Sequence, residues 1–151
     1  MKLFLLLTAT LAAATGQSLS EVRTVYLMPM SSGLDQYLAV QLTSNHVFQV
    51  VTDPDKADVV FTDRIGVSFE QALIQLHNAG VKPEEPKEAA DYSPSMAPLS
   101  RGKGSFFLVD HKSHNVIWST FQERKYNDAS HLNRVAERVV GQLMWDLMLK
   151  K

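Results

Sequence analysis

Residues 104–121, GSFFLVDHKSHNVIWSTF, constrain this chain more than any other stretch. They read as two strands joined by a polar turn. The first, 106–109, is apolar at every position. A strand with one wet face would alternate, so an unbroken run expects cover on both faces. The second, 116–121, is β-branched and aromatic, which suits a pleated and mostly buried surface. The turn at 110–115 carries Asp, Ser and Asn, which hydrogen-bond locally and tolerate tight backbone angles. Trp118 is expected in the core, with Phe106 or Phe107 beside it on the neighbouring strand. This hairpin supplies the centre of a fold and no reaction.

The chain before it reads as alternating strands and helices. Residues 23–28 (RTVYLM) form a first strand, ended by Pro29, which cannot donate to a ladder. Ser31 or Ser32 offers an N-cap, and Ser32 with Asp35 has the spacing of a capping box. A helix over 34–43 follows, with Leu34, Tyr37, Leu38 and Leu42 on one face. Residues 47–51 (VFQVV) are a second strand, expected parallel to the first. Asp53 and Pro54 open a short turn, and residues 57–62 (ADVVFT) are a third strand. A weaker helix over 68–79 stops at Gly80. After the hairpin, Ser130 is expected to cap a long helix to about Leu149. Its apolar stripe holds Leu132, Val135, Ala136, Val139, Leu143 and Leu147. The order β-α-β-β-(α)-β-β-α predicts an α/β fold, a mixed sheet of about five strands with amphipathic helices packed on it.

Two segments stand apart. Residues 1–18 read as a cleaved secretory signal peptide: Lys2 gives a basic start and an apolar run follows. Ala12, Ala14 and Gly16 then offer small residues for cleavage between Ala14 and Ser18. The remaining 19–151 are expected to form one α/β domain. Residues 81–104 interrupt it with Pro83, Pro86, Pro94 and Pro98, several charges and few large apolar groups. Such a segment buries too little surface to offset its ordering entropy, so a flexible, protease-sensitive insertion is expected, or a loop that folds on a partner.

Composition narrows the function classes. The chain has no cysteine. That excludes a disulfide framework, a thiol nucleophile and a lipid-anchored cysteine at the cleavage point. The 15 basic and 16 acidic residues nearly balance, giving a formal charge of −1, so nothing suggests a phosphate backbone as partner. A periplasmic or extracellular location is expected, with no transmembrane segment after signal cleavage.

Three pieces together carry a family pattern. They are the early strand–helix–strand, the turn and strand DPDKADVVF, and FFLVDHKSHNVIW followed by a terminal amphipathic helix. The chain resembles α/β domains of bacterial envelope proteins: the amino-terminal domain of TolB, the lipoprotein activators of penicillin-binding proteins and the curli-secretion lipoproteins. The matching residues are Ala57-Asp58 before an apolar strand, Val109-Asp110 before the late turn and Trp118 after it. The turn departs from the pattern by holding His114-Asn115 where glycine is usual, and the lipobox cysteine is absent. The resemblance implies an accessory or scaffolding role in the cell envelope, without catalysis.

Candidate chemistry is sparse. His111 and His114 with Asp110 could ligate zinc or copper; the competing reading is a solvated turn. Asp53, Asp55, Asp58 and Asp63 lack the glycine bend and late Glu of a calcium loop, and capping explains them better. Gly102-Lys103-Gly104-Ser105 precedes a strand, whereas a phosphate loop follows one. No Gly-x-Ser-x-Gly elbow is present; isolated residues such as Ser119 and His131 could be brought together only by the tertiary fold. No cofactor is expected.

The final helix adds one surface feature. At a hundred degrees per residue, Trp145 points away from the apolar stripe and shares the far face with Arg134, Arg138 and Gly141. An indole beside arginines and a bare glycine has the composition of an interface anchor. The competing readings are a helix that ends before Trp145, or cover by 81–104. The expected function is therefore an exported, non-catalytic envelope accessory protein that binds an envelope protein through Arg134, Arg138 and Trp145. The alternative is a periplasmic small-molecule or metal-binding protein.

Overall fold

A computed structural model describes residues 17–79 and 104–149. The expected signal peptide and insertion therefore lie outside the described residues, apart from Gln17, Ser18 and Gly104. The fold is α/β: a five-stranded mixed sheet with three helices packed on it. The strands are β1 (Thr24–Leu27), β2 (Gln49–Val51), β3 (Val59–Thr62), β4 (Ser105–Asp110) and β5 (Val116–Phe121). They lie in the order β2-β1-β3-β4-β5. β1 runs parallel to β2 and to β3, whereas β4 is antiparallel to both β3 and β5. The helices are α1 (Leu34–Ser44), α2 (Val67–Ala79) and α3 (Ala129–Leu149).

Period-two alternation distributes the central strands between two cores. Val25, Val59, Phe61, Phe106 and Leu108 face α1 and α3, where Leu34, Leu38, Leu42, Leu132, Val135, Val139 and Leu143 meet them. Tyr26, Met28, Val60, Val109 and partly Phe107 face the other way, onto Phe69 and Leu73 of α2. The unbroken apolar run in β4 is thus cover on both faces, as its sequence requires. Trp118 pairs with Leu108 and lies in the larger core, 6% exposed, with its ring 6.2 Å from that of Phe61. The register shifts between Leu108 and Val109, leaving Ile117 as the extra residue of a β-bulge.

Turn chemistry differs from the expectation at four places. At the start of α1, Ser32 and Gly33 both have positive φ, and no side chain caps the helix. Asp35 instead folds back and accepts the Met30 N–H at 3.1 Å. At its end, His46 takes a left-handed φ of 54°, and the His46 and Val47 N–H groups bond the Thr43 and Leu42 carbonyls. That is a Schellman stop, which moves Val47 out of the second strand. At α3, Asp128 replaces Ser130 as the cap: its Oδ1 accepts from Ser130 Oγ (2.7 Å) and from the His131 N–H (3.1 Å). Gly104, which composition alone assigns to the insertion, is buried and closes the hairpin. It accepts the Gln122 N–H at 2.7 Å, and a Cβ there would collide with the Gln122 carbonyl.

No described helix is long and apolar enough to cross a membrane.

Candidate functional site

The outward face of α3 is the first candidate surface. The helix continues past Trp145 to Leu149, so it has not ended where the indole emerges. Trp145 is 58% exposed, and Met148 and Leu149 beside it are more so. Arg134 and Arg138 are exposed on the same stripe, and neither forms a salt bridge among the described residues. Among the described residues, Arg134 Nε donates to the Ser130 carbonyl of its own helix, at 3.3 Å. Nothing among the described residues, outside its own helix backbone, lies within 4 Å of where a Gly141 Cβ would stand. Behind this face, the Trp118 Nε1–H donates to Asp146 Oδ2 at 2.7 Å. That bond ties the last turns of α3 to β5 and fixes which way Trp145 points. Cover by residues 81–104 concerns residues outside those described.

The second candidate is a cleft of about 240 Å³ at the end of the sheet where β1 and β3 begin. Glu70 and His77 of α2 line one side, and His111 and His114 of the β4–β5 turn line the other. The turn's residues have separate tasks. Asp110 is buried, and its Oδ2 accepts from the Ser113 N–H (2.7 Å) and the Ser113 hydroxyl (2.6 Å), which closes the hairpin. His114 takes the positive φ that glycine usually supplies, 57°, a conformation His enters more readily than most residues. Its Nδ1 lies 3.0 Å from Glu70 Oε1, and its ring stands edge-on to Phe69. His111 is anchored by its N–H to the Asp58 carbonyl at 3.0 Å.

His111 therefore does not share a ligand set with Asp110 and His114. Its ring stacks on His77, with centroids 5.8 Å apart and planes inclined by 30°. His77 Nε2 is 2.8 Å from Asp55 Oδ1. Potential ligand atoms of Asp55, His77 and His111 all lie within 4.8 Å of one another. Asp55 arrives because the β2–β3 connection folds its short turn, Pro54–Lys56, against α2 and β1. Linear spacing offered no sign of this trio, since its members come from three distant elements.

The remaining acids are structural. Asp53 accepts the Asp55 N–H at 3.1 Å as a turn cap, and Asp63 pairs with Arg64 at 3.1 Å. Asp58 accepts the Arg23 and Thr24 N–H groups, each at 2.9 Å, and so caps the start of β1. Partial burial pushes Asp58 up. Those two bonds, the Thr24 side chain and the Lys112 charge outweigh it and hold the carboxyl below the ordinary carboxylate value. His131 Nε2 accepts the Lys125 N–H at 3.4 Å, and no hydrogen bond joins it to Ser119 among the described residues.

Comparison with family models, with curated proteins and with solved structures gives no match for this chain.

Proposed function

We propose that this is an exported, non-catalytic accessory protein of the cell envelope that works by binding another envelope protein through the outer face of α3. The observation that carries the reading is Trp145. It stands 58% exposed on a helix that continues past it. Tryptophan is enriched at the centres of interfaces, as is arginine. Arg134 and Arg138 supply two exposed cations, neither of them in a salt bridge among the described residues. The complementary partner presents an apolar pocket rimmed by carboxylates. Export and the envelope location rest on the signal-peptide reading of residues 1–18 and on the resemblance carried by Ala57-Asp58, Val109-Asp110 and Trp118.

The test is crosslinking with mass spectrometry in the cells that make the protein, followed by binding measurements with the purified partner. Trp145→Ala is expected to weaken binding by about 2 kcal/mol or more, the range of an interface hot spot. The double charge reversal Arg134→Glu, Arg138→Glu is expected to slow association and to reverse its salt dependence, since like charges then face each other. A partner bound equally well by all three proteins contradicts the reading, and so does retention of the chain in the cytoplasm.

A further inference from the structure

We propose that Asp55, His77 and His111 form a binding site for one divalent transition-metal ion of the zinc–copper class. Two imidazoles and a carboxylate are the donors such ions prefer, whereas calcium and magnesium take mostly oxygen. Three observations beyond the donor set point to a ligand.

The first is the orientation of His77. Its Nδ1 is 2.7 Å from the Leu73 carbonyl oxygen one turn earlier. A carbonyl only accepts, so Nδ1 carries the proton there. The second nitrogen, Nε2, is then aimed at Asp55 Oδ1, 2.8 Å away. A metal-bound histidine characteristically donates its other ring N–H to a carbonyl or carboxylate, which fixes tautomer and ring angle. A lone pair at Nε2 facing a carboxylate oxygen is repulsive. The contact is favourable only with a second proton on the ring or with a cation between the two atoms.

The second observation is His111. Its Nδ1 is closed off from solvent and has no hydrogen-bond partner among the described residues. Buried polar atoms are almost always paired, so this one calls for an explanation within its surroundings. The backbone bond to Asp58 holds the residue while its ring faces His77.

The third is freedom to adjust. Tetrahedral zinc with nitrogen and oxygen ligands needs donor atoms roughly 3.4 Å apart. The three donors lie within 4.8 Å, and the His77–Asp55 contact is slightly too short. The Asp55 side chain is 67% exposed and that of His77 38%, which leaves both room to turn toward that spacing. The cleft gives an ion access from solvent. Bound there, the ion joins α2, the β2–β3 connection and the β4–β5 turn, on the face of the sheet with the smaller core.

The experiment uses the purified chain without an affinity tag, stripped with EDTA. Zn²⁺ and Cu²⁺ are titrated by calorimetry, and Co²⁺ is followed by its visible absorption. The expected result is one ion per chain and a thermal midpoint that rises with Zn²⁺, since a ligand that binds only the folded state stabilises it. His77→Ala, His111→Ala and Asp55→Asn are each expected to lower affinity at least about tenfold and to abolish the shift in midpoint. His46→Ala and His114→Ala are expected to leave both unchanged. Circular dichroism checks folding, and if His111→Ala is unfolded, His77→Gln and Asp55→Asn at exposed side chains decide the matter. Absence of stoichiometric binding overturns the proposal. So does binding that survives in all three variants, or binding lost only with His46→Ala or His114→Ala.

Discussion

The two faces of α3 differ in what they do with similar residues. Inward, Leu132, Val135, Ala136, Val139, Val140 and Leu143 are all buried against the sheet and α1. Outward, Arg134, Arg138, Gly141, Trp145 and Met148 line up a turn or so apart, and each is exposed. The chain's two tryptophans divide the same way. Trp118 fills the core and satisfies its N–H on Asp146, while Trp145, the next residue back along α3, leaves its ring in solvent. The inner face accounts for the helix being where it is. The outer face is not required by the fold, and the neighbouring exposed apolar side chains of Trp145, Met148 and Leu149, beside two arginines, are the reason to read that face as functional.

The largest effect expected on either face is that of Trp118→Ala, about 3–5 kcal/mol, from lost burial and the cavity left behind. Chemical denaturation measures it, and an unchanged midpoint would place the indole outside the core. Trp118→Phe keeps much of the volume but removes the donor to Asp146 Oδ2, whose other oxygen still accepts from Gln142 Nε2 at 3.0 Å, at a cost of about 1.5 kcal/mol. Asp128→Ala is expected to cost less. The hydrogen bonds from the Ser130 hydroxyl and the His131 N–H hold the Asp128 carboxyl below its ordinary value near 3.8. A depressed folded-state pKa stabilises the protein above the unfolded value and is lost as pH falls through the folded one. The gap between wild type and Asp128→Ala in a melting series should therefore be complete at neutral pH and close below about pH 4.

Smaller effects separate the faces more sharply. Gly141→Ala meets no atom and is expected to stabilise the helix by about 0.5–1 kcal/mol. If Gly141 is there for the partner's close approach, the same variant binds more weakly while melting higher. Trp145→Ala is expected to change stability by no more than about 0.5 kcal/mol. A loss matching that of Trp118→Ala would make Trp145 a core residue and erase the contrast.

The fold was largely legible because its main signals are periodic. The apolar run at 106–109, the alternation that splits β1 and β3 between two cores, and the stripe of α3 all follow from side-chain geometry. What was missed depended on local competition or on distance. Asp128, rather than Ser130, captures the α3 N-terminus because the two bond to each other and the carboxylate also reaches the His131 N–H. His46 ends α1 in a conformation usually given to glycine, which shortened β2. The sequence groups His111 with Asp110 and His114 as a metal alternative, whereas the fold sets it beside Asp55 and His77. Asp110 is consumed by Ser113 and His114 by Glu70, while Asp55 and His77 come from elements that only the tertiary fold brings near. Trp145 was visible on a helical wheel because α3 is long and regular.

The most direct test of the central claim is site-specific photo-crosslinking in the cells that make the protein. A photoreactive residue replaces Trp145 in one variant, Arg138 in a second and the exposed Lys112, in the β4–β5 turn, in a third. The account predicts that positions 145 and 138 crosslink to the same envelope protein, at a surface with carboxylates around an apolar pocket, and that position 112 does not. Equal labelling from all three positions, or none from 145, would contradict it.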